Sequence, residues 1–109
     1  MLTHSVENVI FEPDELKNIK FKEITFKNTS FSKTRITNVG FINCEFVDCL
    51  FIGTELIQCE FHNCTFKTVN FFKVQISQTY INPNSFISCF QKVSKIDMAN
   101  IAGSLFQQL

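Results

Sequence analysis

Large apolar residues recur at every fifth position from Phe11 to Phe86. The series is Phe11, Leu16, Phe21, Phe26, Phe31, Ile36, Phe41, Phe46, Phe51, Leu56, Phe61, Phe66, Phe71, Ile76, Ile81 and Phe86. A period of five fits neither a helix nor a flat strand, whose side-chain periods are 3.6 and 2.0. It predicts a repeat architecture. Sorting the series by twenty shows a longer period. Phe11, Phe31, Phe51 and Phe71 form one set, and Phe26, Phe46, Phe66 and Phe86 another. Phe21, Phe41, Phe61 and Ile81 form the third, whereas Leu16, Ile36, Leu56 and Ile76 are wholly aliphatic. Three phases take Phe and one refuses it. Four sides per turn of a solenoid, with like residues stacked on successive turns, account for this.

The residue two before each large one is mostly small or β-branched: Ile24, Thr29, Thr34, Val39, Cys44, Cys49, Thr54, Cys59, Cys64, Val69 and Val74 through the middle of the chain. Such side chains fit the corners of a narrow core and favour extended backbone. The other three positions of each five are mostly polar and are assigned to solvent. The prediction is a square coil with two residues in and three out per side, over about residues 8–88. About four coils at roughly 4.8 Å each make a rod about 20 Å long.

Runs such as "FINCEFVDCLF", repeated in register, resemble the pentapeptide-repeat family. The resemblance implies an all-β, right-handed quadrilateral β-helix forming a single domain over 1–109. It further implies a non-catalytic module, in a family that is mostly bacterial. Some members resemble duplex DNA in shape and charge and protect DNA gyrase, a type II topoisomerase. Others are adaptor or effector modules. The family's usual small residue is Ala, which Ile, Val, Thr and Cys replace here.

Composition narrows the function. The formal net charge of the 109 residues is zero, which argues against direct nucleic-acid binding or electrostatic attachment to a membrane. The start of the chain shows no apolar signal region and no membrane span is apparent, so a cytoplasmic location is expected. The five cysteines, Cys44, Cys49, Cys59, Cys64 and Cys89, share one repeat position and read as small buried hydrophobes in the reduced state. Cys59, His62 and Cys64 have the look of metal ligands, but the phase turns the cysteines inward and the histidine outward, so neither a metal site nor a Cys–His pair is expected. With no phosphate loop and no convergent carboxylates, the sequence predicts no catalytic residue, no cofactor and no small-molecule substrate.

The outward positions carry two further patterns. Asn18, Asn38, Gln58 and Gln78 fall in one column suited to stacked amides, and Glu15, Arg35 and Glu55 alternate in sign along another. Residues 41–70 hold Glu45, Asp48, Glu55 and Glu60 against Lys67. This is a mild acidity rather than the long acidic column a DNA mimic requires. Apolar residues at outward positions are the sharper signal: Ile42, Val47, Leu50, Ile52, Ile57 and Phe72. Leu50, Ile52 and Phe72 are expected to lie side by side on one face. A contiguous apolar patch marks an interface unless a segment of the chain folds over it, so another protein or a second copy is the expected partner. For the ends, residues 1–7 are assigned to an N-terminal cap and 89–109 to a C-terminal cap. There Ile96, Ile101 and Phe106 return to the five-residue phase of a further coil, while Asp97 as N-cap, with Met98, Ile101 and Leu105 at helical spacing, suggests a short capping helix, which is the preferred expectation. Pro83, Asn82 and Asn84 predict an irregular fourth coil.

Overall fold

The computed structural model describes residues 4–11, 14–81, 85–87, 89–92, 95–97 and 100–101. Short strands wind into a four-sided parallel β-helix. Side one stacks His4–Glu7, Ile24–Lys27, Glu45–Val47, Thr65–Lys67 and Ser85–Ile87. Side two runs through the bridges Ile10↔Ser30, Ser30↔Leu50 and Leu50↔Asn70 and then the paired strands Asn70–Phe72 and Phe90–Lys92. Side three stacks Glu15–Lys17, Arg35–Thr37, Glu55–Ile57, Gln75–Ser77 and Lys95–Asp97, and side four Lys20–Lys22, Gly40–Ile42, Glu60–His62, Tyr80–Ile81 and Asn100–Ile101. Every pairing sets a residue opposite the one twenty further on, as in Phe26↔Phe46, Leu16↔Ile36 and Phe41↔Phe61. The twenty-residue sorting is therefore the ladder register itself.

The core is a set of columns. Phe26, Phe46 and Phe66 stack face to face with ring centroids 5.0 and 4.8 Å apart, and Phe31 stacks on Phe51 at 4.8 Å. Between columns the rings meet edge to face, as Phe41 and Phe46 do at 5.3 Å. These are the two arrangements that the ring quadrupole favours. Ile36, Leu56 and Ile76 fill the remaining side at 0 to 1% exposure. Aromatic rings thus occupy three sides, and the fourth closes with aliphatic chains.

The corners explain the small positions. Thr54 Oγ1 donates to Phe31 O of the preceding coil at 2.7 Å. The cysteines take the same posture: Cys49 Sγ lies 3.3 Å from Phe26 O and 3.4 Å from Val47 O, and Cys59 Sγ lies 3.1 Å from Ile36 O. They are weak donors stapling one coil to the next as well as apolar filler. Cys44, Cys49, Cys59 and Cys64 are buried, Cys89 is half-buried, and all five are free thiols.

Among the described residues the turns between sides also carry left-handed residues. Asn8, Asn18, Asn28, Asn38, Asn43, Asp48 and Asn63 have φ between 50° and 60°, as do Glu23, Lys33, Gln58, Thr68, Lys73 and Gln78, with Gly53 at 68°. Asn, Asp and Gly tolerate this region and the others pay a steric cost. The stacked amides join along the columns: Asn38 Nδ2 donates to Asn18 Oδ1 at 2.8 Å, Asn28 to Asn8 at 2.7 Å and Asn63 to Asn43 at 2.9 Å. Thr68 is the β-branched exception, exposed at φ 56°, with its amide bonded to Ile87 O at 2.9 Å. Thr68→Asn relieves the β-branched clash and keeps that amide. It is expected to stabilise the protein by about 1 kcal/mol, read as a raised denaturation midpoint at unchanged m-value. A lowered midpoint would refute the strain.

The expected C-terminal helix is corrected by the structure. Lys95–Asp97 and Asn100–Ile101 are strands, in register with Gln75–Ser77 and Tyr80–Ile81. Asp97 therefore ends a strand instead of capping a helix. The five-residue phase of Ile96 and Ile101 prevails over the helical spacing because an ordered edge waits to template each strand, and tertiary context overrides weak propensity. Met98, Leu105 and Phe106 lie outside the described residues, as do Asn82, Pro83 and Asn84. The coil is in register on both sides of that turn. At the other end His4–Glu7 is itself the first strand of side one.

Candidate protein-interaction surface

The outward apolar residues do not form one patch. Ladder register places Ile42 on side four between Lys22 and His62, Val47 on side one between Lys27 and Lys67, and Ile57 on side three between Thr37 and Ser77. The third coil thus wears an apolar belt, broken into single residues by polar neighbours above and below. All three are half-buried. The long stems of Lys27 and Lys67 flank Val47, an arrangement in which aliphatic carbons cover apolar surface while the charge stays in water.

Side two is different. Leu50 and Ile52 both lie on it, and the turn that carries Ile52 bonds upward to Phe72, with Gly53 N donating to Phe72 O at 2.8 Å. Leu50, Ile52 and Phe72 therefore share one face, as the sequence predicts. Leu50 is 40% exposed. Ile52 and Phe72 are half-buried, and Lys73 Nζ sits 5.3 Å from the Phe72 ring centroid. The backbone beneath is held by side chains: Ser32 N donates to Ser30 Oγ at 3.2 Å, Ile52 N to Ser32 Oγ at 3.2 Å and Phe72 N to Asn70 Oδ1 at 2.9 Å.

The structure adds Ile10 to this face, 71% exposed and in the same ladder column as Leu50. Buried Ser30 lies between them, and a shallow depression of about 270 Å³ runs from Ile10 to Leu50, edged by Asn8, Asn28 and Asp48. The signal was present in the sequence: Ile10, Ser30 and Leu50 are twenty residues apart, large, small, large.

The remaining candidates separate as their phases require. Cys59 and Cys64 are buried at 1 and 2% exposure, while His62 points outward and its Nε2 lies 2.7 Å from Glu60 Oε1. Among the described residues no three His, Cys, Asp or Glu side chains converge as metal ligands. Arg35 Nε bonds to Glu55 Oε2 at 3.0 Å, while Glu15 pairs with Lys17 at 3.5 Å. Both pairs are exposed and contribute little. Burial raises the thiols of Cys49 and Cys89 and pushes Cys59 up to about 11. Cys44 and Cys64 share a hydrogen bond that lowers Cys44 to about 7 and raises Cys64, whose burial adds to the rise.

Acidic residues do not stack. The outward columns read Glu15–Arg35–Glu55–Gln75, Lys20–Gly40–Glu60–Tyr80 and Thr25–Glu45–Thr65–Ser85. In these columns no two acids occupy adjacent coils.

Known structures share this architecture. Trypsin-treated QnrB1, a plasmid-mediated fluoroquinolone resistance protein, is similar with a TM-score of 0.57 at 18% identity, over 89% of this chain and 53% of that one. A second trypsin-treated QnrB1 variant gives 0.50 at 19% identity, over 92% of this chain and 54% of that one. The chain spans about half the length of these structures, and at that identity the likeness is one of fold. No curated protein matches it in sequence. The family model for the pentapeptide repeat region matches residues 4–81. With that match lying on four parallel ladders of twenty-residue register, the chain belongs to the pentapeptide-repeat family.

Proposed function

We propose that this protein is a non-catalytic interaction module, a rigid β-helical rod that binds another protein through side two. The observation that carries the reading is the set of apolar residues Ile10, Leu50, Ile52 and Phe72 on one face, Ile10 and Leu50 well exposed on either side of Ser30. The fold has no use for apolar side chains there, since its core is complete without them. Exposed apolar surface next to a shallow depression is the usual mark of a protein interface. The inward thiols, bonded to backbone carbonyls, support a role without catalysis. The family's DNA-mimic role toward a type II topoisomerase is the other reading. It requires a continuous acidic column, and here Arg35, Gly40, Thr25 and Thr65 interrupt the columns.

Replacing Leu50 and Phe72 together with Lys tests the proposal. The double variant is expected to keep its denaturation midpoint and to lose at least tenfold in partner capture, because two apolar anchors become charged at the centre of the contact. A drop in stability with unchanged capture would show that the strip is covered from within the chain and would end the interface reading.

A further inference from the structure

One amide column is broken where it borders side two. In the intact columns Asn38 Nδ2 donates to Asn18 Oδ1 at 2.8 Å and Asn63 Nδ2 to Asn43 Oδ1 at 2.9 Å, so the later coil donates and the earlier accepts. Asn28 follows the rule and donates to Asn8 Oδ1 at 2.7 Å. Its own Oδ1 then needs a donor from the next coil. Twenty residues on stands Asp48, and a carboxylate can only accept. Asn28 and Asp48 share the left-handed turn conformation, at φ 50° and 55°. Asp48 is exposed, and among the described residues its side chain has neither a hydrogen bond nor an ion pair. Two acceptors thus stand one coil apart, about 4.8 Å along the column, with no donor to share.

The fold does not ask for this carboxylate. Asn tolerates the left-handed turn as Asp does, and the chain places Asn there at 8, 18, 28, 38, 43 and 63. An amide in place of Asp48 would carry the ladder on. Asp48 also edges the side-two depression, whose floor is Ser30 and whose apolar ends are Ile10 and Leu50. It is the single charge in that lining. At about 270 Å³ the depression falls below the roughly 300–1,000 Å³ of small-molecule sites, so it suits one side chain rather than a free ligand.

The chemistry of the lining selects that side chain. Ile10 and Leu50 offer apolar carbon to a stem, and Asp48 with Asn28 Oδ1 offers acceptors to a cationic head. Arginine lays its methylene stem on apolar surface while its charge stays at the rim. Its planar guanidinium carries donors along several edges and so serves both acceptors at once, whereas a lysine ammonium is a compact point charge. We propose that side two, on the interface reading above from which this assignment follows, recognises its protein partner through an arginine laid across Ser30 between Ile10 and Leu50, with its guanidinium bonded to Asp48 and Asn28.

N-butylguanidinium reproduces the stem and the head, and N-butylurea is its neutral counterpart. Titrated into the isotopically labelled whole chain, the cation is expected to shift the side-chain amide resonances of Asn28 and the backbone amides of Asp48 and Leu50. It is expected to bind about fivefold tighter than the urea. Asp48→Asn is expected to erase that preference while leaving the denaturation midpoint unchanged or raised, because the amide ladder then runs on past Asn28. Equal binding of the two compounds, no shifts at this site, or a cation preference that survives Asp48→Asn would overturn the inference and leave side two an interface of other chemistry. Retained partner capture by the Leu50→Lys, Phe72→Lys variant would instead end the interface reading, and this inference with it.

Discussion

Phe46→Ala is expected to cost about 3–5 kcal/mol of stability. Phe46 is at 0% exposure in the middle of a column, stacked on Phe26 at 5.0 Å and Phe66 at 4.8 Å. Its edges meet Phe41 at 5.3 Å, Phe51 at 5.6 Å and Phe31 at 6.1 Å. Removing the ring exposes one face of each stacked neighbour to a void. The void cannot collapse, because the ladders above and below fix the coil spacing near 4.8 Å. The change also removes one link of an aromatic column, and stacked pairs contribute beyond their buried area. Lys27→Ala, outward on the same side, is expected to change stability by no more than about 0.5 kcal/mol. Urea denaturation of the two variants decides the matter, and equal effects would refute the inward and outward assignment.

Alkaline pH is expected to destabilise the protein. Unfolded thiols ionise near 8.5. Burial holds Cys59 up to about 11 and raises Cys49 and Cys89. The hydrogen bond with Cys44, and then burial, raise Cys64. Above about pH 8.5 the unfolded chain therefore binds fewer protons than the native one, and stability falls as pH rises. Cys59 alone contributes about 1.4 kcal/mol per unit until its native value near 11. Cys44 acts in the opposite sense. Its native value near 7 lies below the unfolded one, so its contribution grows as pH rises between the two. The stability curve is expected to drop beyond about pH 8.5, with Cys44 opposing the fall of the other thiols below that. Cys59→Val keeps the shape of the corner, where Val39 already sits one coil below, and should flatten part of the drop. Subtracting its curve from the parent's cancels Tyr and Lys titration. A difference that stays level from pH 8.5 to 11 would sink the prediction.

The amino-acid sequence alone determined the fold, because a solenoid converts spacing directly into position. Phe at every fifth residue with aliphatics on every fourth side specifies which residues stack, and the register Leu16↔Ile36↔Leu56↔Ile76 follows by adding twenty. The inward cysteines and outward His62 were legible for the same reason. So was the common face of Leu50, Ile52 and Phe72. Tertiary structure decided the rest. Ile42, Val47 and Ile57 looked like members of the same surface, but the corners turn each to its own side, where flanking Lys, His, Thr and Ser isolate it. Ile10 joined the strip only once its exposure below buried Ser30 was known, since exposure depends on neighbours a whole coil away. The final strands replaced a helix because Ile96 and Ile101 meet an edge already ordered by the coil before them. A helical spacing within ten residues is a local signal, and a waiting parallel strand is not.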